Sequence, residues 1–384
     1  MKVLLAPDKF KGSLTAAEVV QHLGSGLTAR GIQYTGLPLA DGGDGSVQAA
    51  IESGFRRIRI TVAGATGHER PTIAAFNGST AIVEVANTCG LHTLPGGKLA
   101  PLEATSTGVG QAMVSLLRRN PSRIVLALGG SASTDGGTGL LAALGAVFRD
   151  GDGEVLTMNG GALQRIRSID LSALADLTGI EVVIASDVQN PLTGPDGAAA
   201  TYGPQKGATQ ELVRTLDEGL INLVQQLTLA GYPDAHRLAN TPGAGAAGGL
   251  GFAGLLLGGR TVSGADYFLD LLNFETHLQG CDLVITGEGR MDDQTRNGKL
   301  PAIIAKRAGQ VPVIAVVGRS DISAAALTEM GIQAVHAITD HTDGNPAGDP
   351  ALSARLLEDL GRTIPLPQPA TTRSAATDPS TVTV

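Results

Sequence analysis

Apolar and polar positions alternate in blocks along the first 53 residues. Val3–Ala6 is a short apolar run that reads as a buried strand, and a loop follows over Pro7–Leu14. Thr15-Ala16-Ala17-Glu18 has the spacing of a capping box and predicts a helix to about Arg30, stopped by Gly31. A strand is predicted over Gln33–Ala40, then a loop over Asp41–Gly45 and a helix to Ser53. This β-α-β-α alternation predicts a parallel sheet with helices on its faces. The pattern changes after residue 57. Arg57–Val62, Thr72–Phe76 and Thr80–Val85 read as antiparallel strands, the last two joined by an Asn77-Gly78 turn. A helix over Ser106–Arg119, strands over Arg123–Leu128 and Val182–Ser186, and a long amphipathic helix over Gln210–Ala230 follow. Alternation resumes late. Strands are predicted at Leu283–Thr286, Val311–Val317 and Ala334–Ile338, and helices at Ala302–Ala308, Ala324–Met330 and Pro350–Arg362.

The pattern predicts an α/β protein of two α/β domains. Residues 1–60 and 280–364 form a discontinuous α/β domain with a parallel sheet. Residues 61–279 form an inserted, mixed α/β domain, and the active site lies in the cleft between the two. From residue 365 to 384 the chain is Pro, Ala, Thr and Ser without periodicity and reads as a disordered tail.

Composition narrows the function. The 384 residues carry a formal net charge of −8 and show no Lys/Arg cluster, which argues against nucleic acid as a partner. No apolar run is long enough for a membrane span, and the N-terminus is too briefly apolar for a signal peptide, so a cytoplasmic enzyme is expected. Cys89 and Cys281 make neither a disulfide framework nor a metal site. The 53 glycines are about twice the usual share and have no collagen period, which places them in loops of close backbone approach.

Those loops share one feature: apolar runs end in stretches rich in glycine and acid. Leu4-Leu5-Ala6 leads to Asp8–Ser13, and Leu37–Ala40 to Asp41-Gly42-Gly43-Asp44. Val125–Leu128 leads to Gly129–Gly139, Val183–Ser186 to Asp187, and Val284–Thr286 to Gly287–Asp293. In open α/β sheets, ligands bind beyond the carboxyl ends of the strands. Carboxylates, glycine-rich backbone and a few lysines suit a metal–phosphate site. No Walker-type phosphate loop and no nucleophile-elbow motif is present. Gly243-Ala244-Gly245-Ala246-Ala247-Gly248 matches the dinucleotide fingerprint but follows no predicted strand. A backbone phosphate cradle at Gly245 and Gly248, or close helix packing, are its other readings.

Six longer motifs occur in one order: APDKFKGSL (Ala6–Leu14), PLADGGDGS (Pro38–Ser46), GGSASTDGGTG (Gly129–Gly139), ASDVQNPLTGPDGAAATYGPQKG (Ala185–Gly207), PGAGAAGGLG (Pro242–Gly251) and DLVITGEGRMDDQT (Asp282–Thr295). With Gly298-Lys299-Leu300-Pro301 they resemble the bacterial type-1 glycerate kinase family over about residues 1–362. Lys9 stands where many members have serine. The resemblance implies ATP- and Mg²⁺-dependent phosphorylation of D-glycerate and a two-domain α/β fold whose discontinuous domain is Rossmann-like, and direct in-line transfer is the expected mechanism. It favours 2-phosphoglycerate, with a glycerate 3-kinase giving 3-phosphoglycerate as the alternative. A phosphatase, a dehydrogenase using the glycine motif, and a non-catalytic sugar-acid binding protein are further readings. A homodimer is allowed but required by nothing in the sequence.

Roles follow from that resemblance and the residue types. Asp187 is the expected general base, with Asp41 and Lys11 completing the catalytic set. Asp8, Ser13, Asp44, Thr107 and Arg290 are expected at the substrate, Arg290 as a carboxylate clamp or as a structural ion pair. Gly130, Ser131, Ser133, Thr134, Asp135, Gly245, Gly248, Lys206 and Lys299 are expected at the nucleotide phosphates, with helix capping as the other reading of the Ser131–Asp135 stretch. Asp187, Asp41 and Glu288 are the expected Mg²⁺ ligands.

Overall fold

The computed structural model describes residues 1–293, 295, 296 and 298–367. Its strands in chain order are β1 (Lys2–Pro7), β2 (Gln33–Gly36), β3 (Arg56–Ala63), β4 (Glu69–Phe76), β5 (Thr80–Glu84), β6 (Arg123–Ala127), β7 (Val147–Arg149) and β8 (Ser168–Asp170). β9 (Glu181–Ala185), β10 (Arg260–Val262), β11 (Leu283–Gly287), β12 (Arg290–Met291), β13 (Val313–Val317), β14 (Arg319–Ser320) and β15 (Ile332–Ala337) follow.

Two large sheets organise the chain. The first has the order β15-β13-β11-β1-β2 and is parallel throughout. Its direction of progression reverses between β1 and β11, the switch point at which doubly wound sheets hold ligands. The second has the order β10-β9-β6-β5-β4-β3. Its β5, β6, β9 and β10 run parallel, while β3, β4 and β5 form the expected antiparallel meander. The Asn77-Gly78 turn closes its second hairpin, with Gly78 at φ 104°.

The inner strands of both sheets are covered on both faces, so they read as unbroken apolar runs, whereas the edge strands β2 and β3 are largely exposed and polar. Val3 and Leu5 pack with Val19, Leu23 and Leu357 beneath the helices Ala16–Thr28 and Pro350–Thr363. Leu4 and Ala6 face the opposite way, toward Leu269 and Ile304. The capping box forms: Thr15 N donates to Glu18 Oε2 at 2.8 Å, and Glu18 N to Thr15 Oγ1 at 3.3 Å. In the second sheet Ile124 and Leu126 join the larger core, while Val125 and Ala127 face the other side.

Two helices belong to both sheets. In Ser46–Glu52, Val47 and Ala50 pack on the second sheet and Ala49 joins the core of the first. In Gly264–Leu271, Phe268 faces the second sheet and Leu269 the first. These helices hold the carboxyl ends of the two sheets against each other.

Two expectations are corrected. β2 ends at Gly36 rather than Ala40. Leu37 N and Leu39 N still donate to Leu5 O and Pro7 O at 2.8 and 3.0 Å, so the chain continues beside β1, while Pro38, which has no N–H, falls at the position that faces the free edge of the sheet. The helix expected at Ala302 begins at Leu300, with Pro301 in its first turn, where no intrahelical donor is needed. Of the expected tail, residues 368–384 lie outside the described residues, and Leu366 packs on the core of the first sheet.

Candidate active site

Five loops from the carboxyl ends of strands meet between the sheets. The Asp41–Gly45 loop after β2 is wedged against the second sheet. Gly42 has φ 84°, and a Cβ there would lie 2.9 Å from Gly264 Cα and 3.0 Å from Ala185 O. A Cβ on Gly129, after β6, would lie 2.5 Å from Gly43 Cα. Only glycine allows these approaches. Within the loop, Asp41 Oδ1 accepts from Gly43 N at 3.0 Å. Asp187, after β9, accepts from Gly264 N at 3.0 Å through Oδ1. At the switch point, Asp8 N donates to Gly287 O at 2.8 Å, so the loops after β1 and β11 lie side by side.

This convergence concentrates negative charge. Burial pushes the Asp8 carboxyl up to about 7, and Asp41 and Glu288 add to the rise. Burial likewise pushes Glu288 up to about 7, with Asp292 and Asp41 contributing. Asp187 is raised by desolvation and by Asp41. Asp41 is thus the common neighbour of carboxylates from both sheets. Burial opposes the charge of Lys9, yet Asp8, Asp44, Asp41 and Glu84 hold its ammonium above the ordinary value. Lys9 Nζ lies 3.6 Å from Asp44 Oδ2 and also donates to Asp44 O. A cavity of about 380 Å³ opens here, lined by Asp8, Lys9, Lys11, Ser13, Asp44 and Glu84 among others.

The Gly129–Gly139 loop is built differently. Ser131, Ser133, Thr134 and Asp135 are buried. Asp135 accepts from Ser106 N and Ser106 Oγ at 2.8 Å, from Gly137 N at 3.1 Å and from Gly139 N at 3.3 Å. It therefore ties together the starts of the helices Thr107–Leu117 and Thr138–Ala143. Lys206, 3% exposed, donates to Ser131 Oγ at 2.9 Å and Ser133 O at 2.5 Å. Burial lowers Lys206 to about 8, against the pull of Asp135. Ser133 Oγ and Thr134 Oγ1 are buried without partners. Gly130 is exposed, with φ 68°. The space beside Gly245 and Gly248 is taken by Pro191 O and Ser133 O, each under 2.5 Å from a Cβ placed there.

The remaining expected residues scatter. Thr107 Oγ1 pairs with Thr105 Oγ1 at 2.7 Å and lines a separate cavity with Gln111 and Met158. Arg290 pairs with Asp321 at 3.0 Å and Asp292 at 3.9 Å, and Lys299 lies 3.6 Å from Asp292.

The sequence model described as "Glycerate kinase family" matches residues 3–363. The chain belongs to the glycerate kinase family. Glycerate kinase of Bacillus cereus (strain ATCC 10987 / NRS 248) is 41% identical over 88% of this chain and 91% of its own length. Glycerate 2-kinase of Escherichia coli (strain K12) is 37% identical over 88% and 90%. A crystal structure described as glycerate kinase 2 of Salmonella typhimurium LT2 superposes with TM-score 0.76 at 36% identity. It covers 94% of this chain and 97% of that one.

Glu84 is the site residue that sequence reading misses in this glycerate kinase family chain. It ends β5, is 2% exposed, and accepts from Val47 N at 2.9 Å. Burial pushes it up to about 7. The signal is present, because an apolar run again ends in an acid, but the strand had been continued through Val85. Among the described residues, no group of three acidic, His or Cys side chains is preassembled around a cation. One or two carboxylates plus phosphate oxygens are nevertheless what Mg²⁺ takes in phosphoryl-transfer sites. The surplus of carboxylates around Asp41 fits such a cation.

Proposed function

We propose that this protein phosphorylates D-glycerate with ATP and Mg²⁺, giving 2-phosphoglycerate by direct in-line transfer. The observation that carries this reading is the cluster of Asp8, Asp41, Asp187 and Glu288, drawn from both sheets, in which burial and the neighbouring charge of Asp41 hold Asp8, Asp187 and Glu288 above their ordinary pKa. A carboxylate in such surroundings is a stronger base near neutral pH than one in water. The relatives named as glycerate kinases supply the substrate class, and the name glycerate 2-kinase supplies the position.

In this reading Asp187 takes the proton of the attacking hydroxyl. Lys9 and Lys11 attract the acid's carboxylate and the transferring phosphate. Asp41, Asp187 and Glu288 are the carboxylates that would hold Mg²⁺ beside the phosphate oxygens, and the ion would screen the charge of the donor phosphates. The two sheets belong to two domains, residues 1–60 with 280–364 and residues 61–279, except that β3 starts at Arg56 and so carries the inserted domain back past residue 60. Their approach excludes water from the cleft. The Ser131–Asp135 stretch and Lys206 shape the floor of the cleft from within. Arg290 acts through its ion pairs with Asp321 and Asp292 rather than as a free clamp.

The test is ADP release measured with each component omitted in turn. ADP formation that requires D-glycerate and a divalent cation supports the reading. Equal ADP release without the acid overturns it.

A further inference from the structure

A second cavity, of about 320 Å³, lies behind the Phe10–Leu14 turn at the carboxyl edge of the first sheet. Its wall runs from Gly289 after β11, past Gly318 and Arg319 after β13, to Ile338 and Thr339 after β15. The loop Gly344–Ala347 and Ser353 close the far side. The geometry points to this cavity as the subsite for the nucleoside part of the phosphoryl donor, an inference that rests on the kinase reading above.

Four observations carry it. The first is place: the cavity adjoins the β1/β11 switch point, on the strand ends where open α/β sheets receive ligands. The second is size. Its volume falls within the range of small-molecule sites and far exceeds the needs of a three-carbon acid.

The third is charge. Among the described residues, its charged lining side chains are Lys11 and Arg319, with no carboxylate. Asp321 holds the Arg319 guanidinium at 3.0 Å. The neighbouring cleft cavity is lined by Asp8, Asp44, Glu52 and Glu84 against Lys9 and Lys11. A nucleotide bearing several negative charges is repelled less from the second cavity than from the first.

The fourth is chemistry. Phe10, Ile338, Pro346 and Ala347 give apolar walls against which a flat ring can lie. Ser13 Oγ is buried there without a hydrogen-bond partner, and Thr339 and Asn345 add polar groups. Lys11 and Ser13 line both cavities, so the Phe10–Leu14 turn is their shared wall. A nucleoside behind the turn sends its phosphates across Lys11 toward the carboxylate cluster.

The test uses the full chain with ADP, adenosine, ATP and D-glycerate. Ala347→Trp fills the cavity from an exposed loop position. Binding of ADP and adenosine should weaken at least ~10-fold, with KM for ATP rising in parallel and KM for D-glycerate within about twofold of the unmodified protein. Photolabelling of the unmodified protein with an azido-adenine analogue of ADP is independent of how the variant folds. It should mark residues 338–353. Unaltered ADP binding in Ala347→Trp, a rise in the KM of D-glycerate alone, or label confined to the cleft cavity each overturns the subsite. If the unmodified protein still turns over D-glycerate in that event, the kinase reading survives. If the unmodified protein neither binds ADP nor turns over the acid, both readings fall.

Discussion

Asp135→Ala removes a carboxylate that is fully buried and accepts four hydrogen bonds. Two losses follow. Ser106 N, Gly137 N and Gly139 N are left without this acceptor, and an orphaned buried donor costs about 1–3 kcal/mol. Ser106 Oγ keeps its bond from Leu140 N at 3.0 Å, and the 3.3 Å contact of Gly139 was long, so two donors carry most of the penalty. Lys206 also loses its nearest opposite charge. That loss is bounded, because Lys206 already sits at about 8 and sheds its proton near neutral pH once Asp135 is gone. The sum is about 3–4 kcal/mol, a large part of the 5–15 kcal/mol typical of folded proteins. Asp135→Asn, which keeps one acceptor oxygen, should lose about half as much. Asp150→Ala is the control: its carboxylate accepts from Arg165, Asp152 N and Glu154 N within one surface turn, where water can replace it, so little should be lost. Urea unfolding followed by circular dichroism measures all three. An Asp135→Ala midpoint equal to that of Asp150→Ala would falsify the assignment of Asp135 as the tie between the two helix starts.

Other expectations follow from the cleft. Asp187→Asn should lower kcat by ~10²–10⁴ with little change in KM, and near-normal turnover removes Asp187 from the role of base. Asp8, Glu84 and Glu288 have folded pKa values of about 7, above their ordinary values, so the folded protein holds more protons than the unfolded chain between about pH 4 and 7. Stability is therefore greatest below that window and declines as pH rises through 7; a Tm higher at pH 8 than at pH 5.5 without divalent cations contradicts this sign. Adding Mg²⁺ should recover part of the loss at pH 8. Gly42→Ala forces an L-residue to φ 84° against Gly264 and Ala185, and should cost about 2 kcal/mol or more. A Tm unchanged by that substitution would show that the loop does not dock as described.

Much of the fold was legible because the inner strands of both sheets are buried on two faces. Unbroken runs such as Val3–Ala6 and Leu283–Thr286 admit few other readings when helical patterns lie between them. What escaped was short or shared. β10 is three residues long, too brief for any period. Gly264–Leu271 divides its apolar residues between two sheets, which blurs a one-faced pattern. The acidic loops were visible as strand endings, and the structure places Asp8, Asp41, Asp187 and Glu288 within electrostatic reach of one another. Spacing alone did not separate these residues from Asp135, whose hydrogen bonds all run to the protein's own backbone and Ser106. The same loop chemistry gathers carboxylates between the sheets in one place and ties helix starts in the other. Glu84 was missed because its valine neighbour prolonged the apparent strand.

The most direct measurement is phosphorus NMR of one incubation of the full chain with ATP, Mg²⁺ and D-glycerate. The account predicts ADP and a single new phosphomonoester resonance that coincides with authentic 2-phosphoglycerate. A resonance at the position of 3-phosphoglycerate contradicts the regiochemistry, and folded protein that yields no phosphomonoester contradicts the glycerate kinase reading itself.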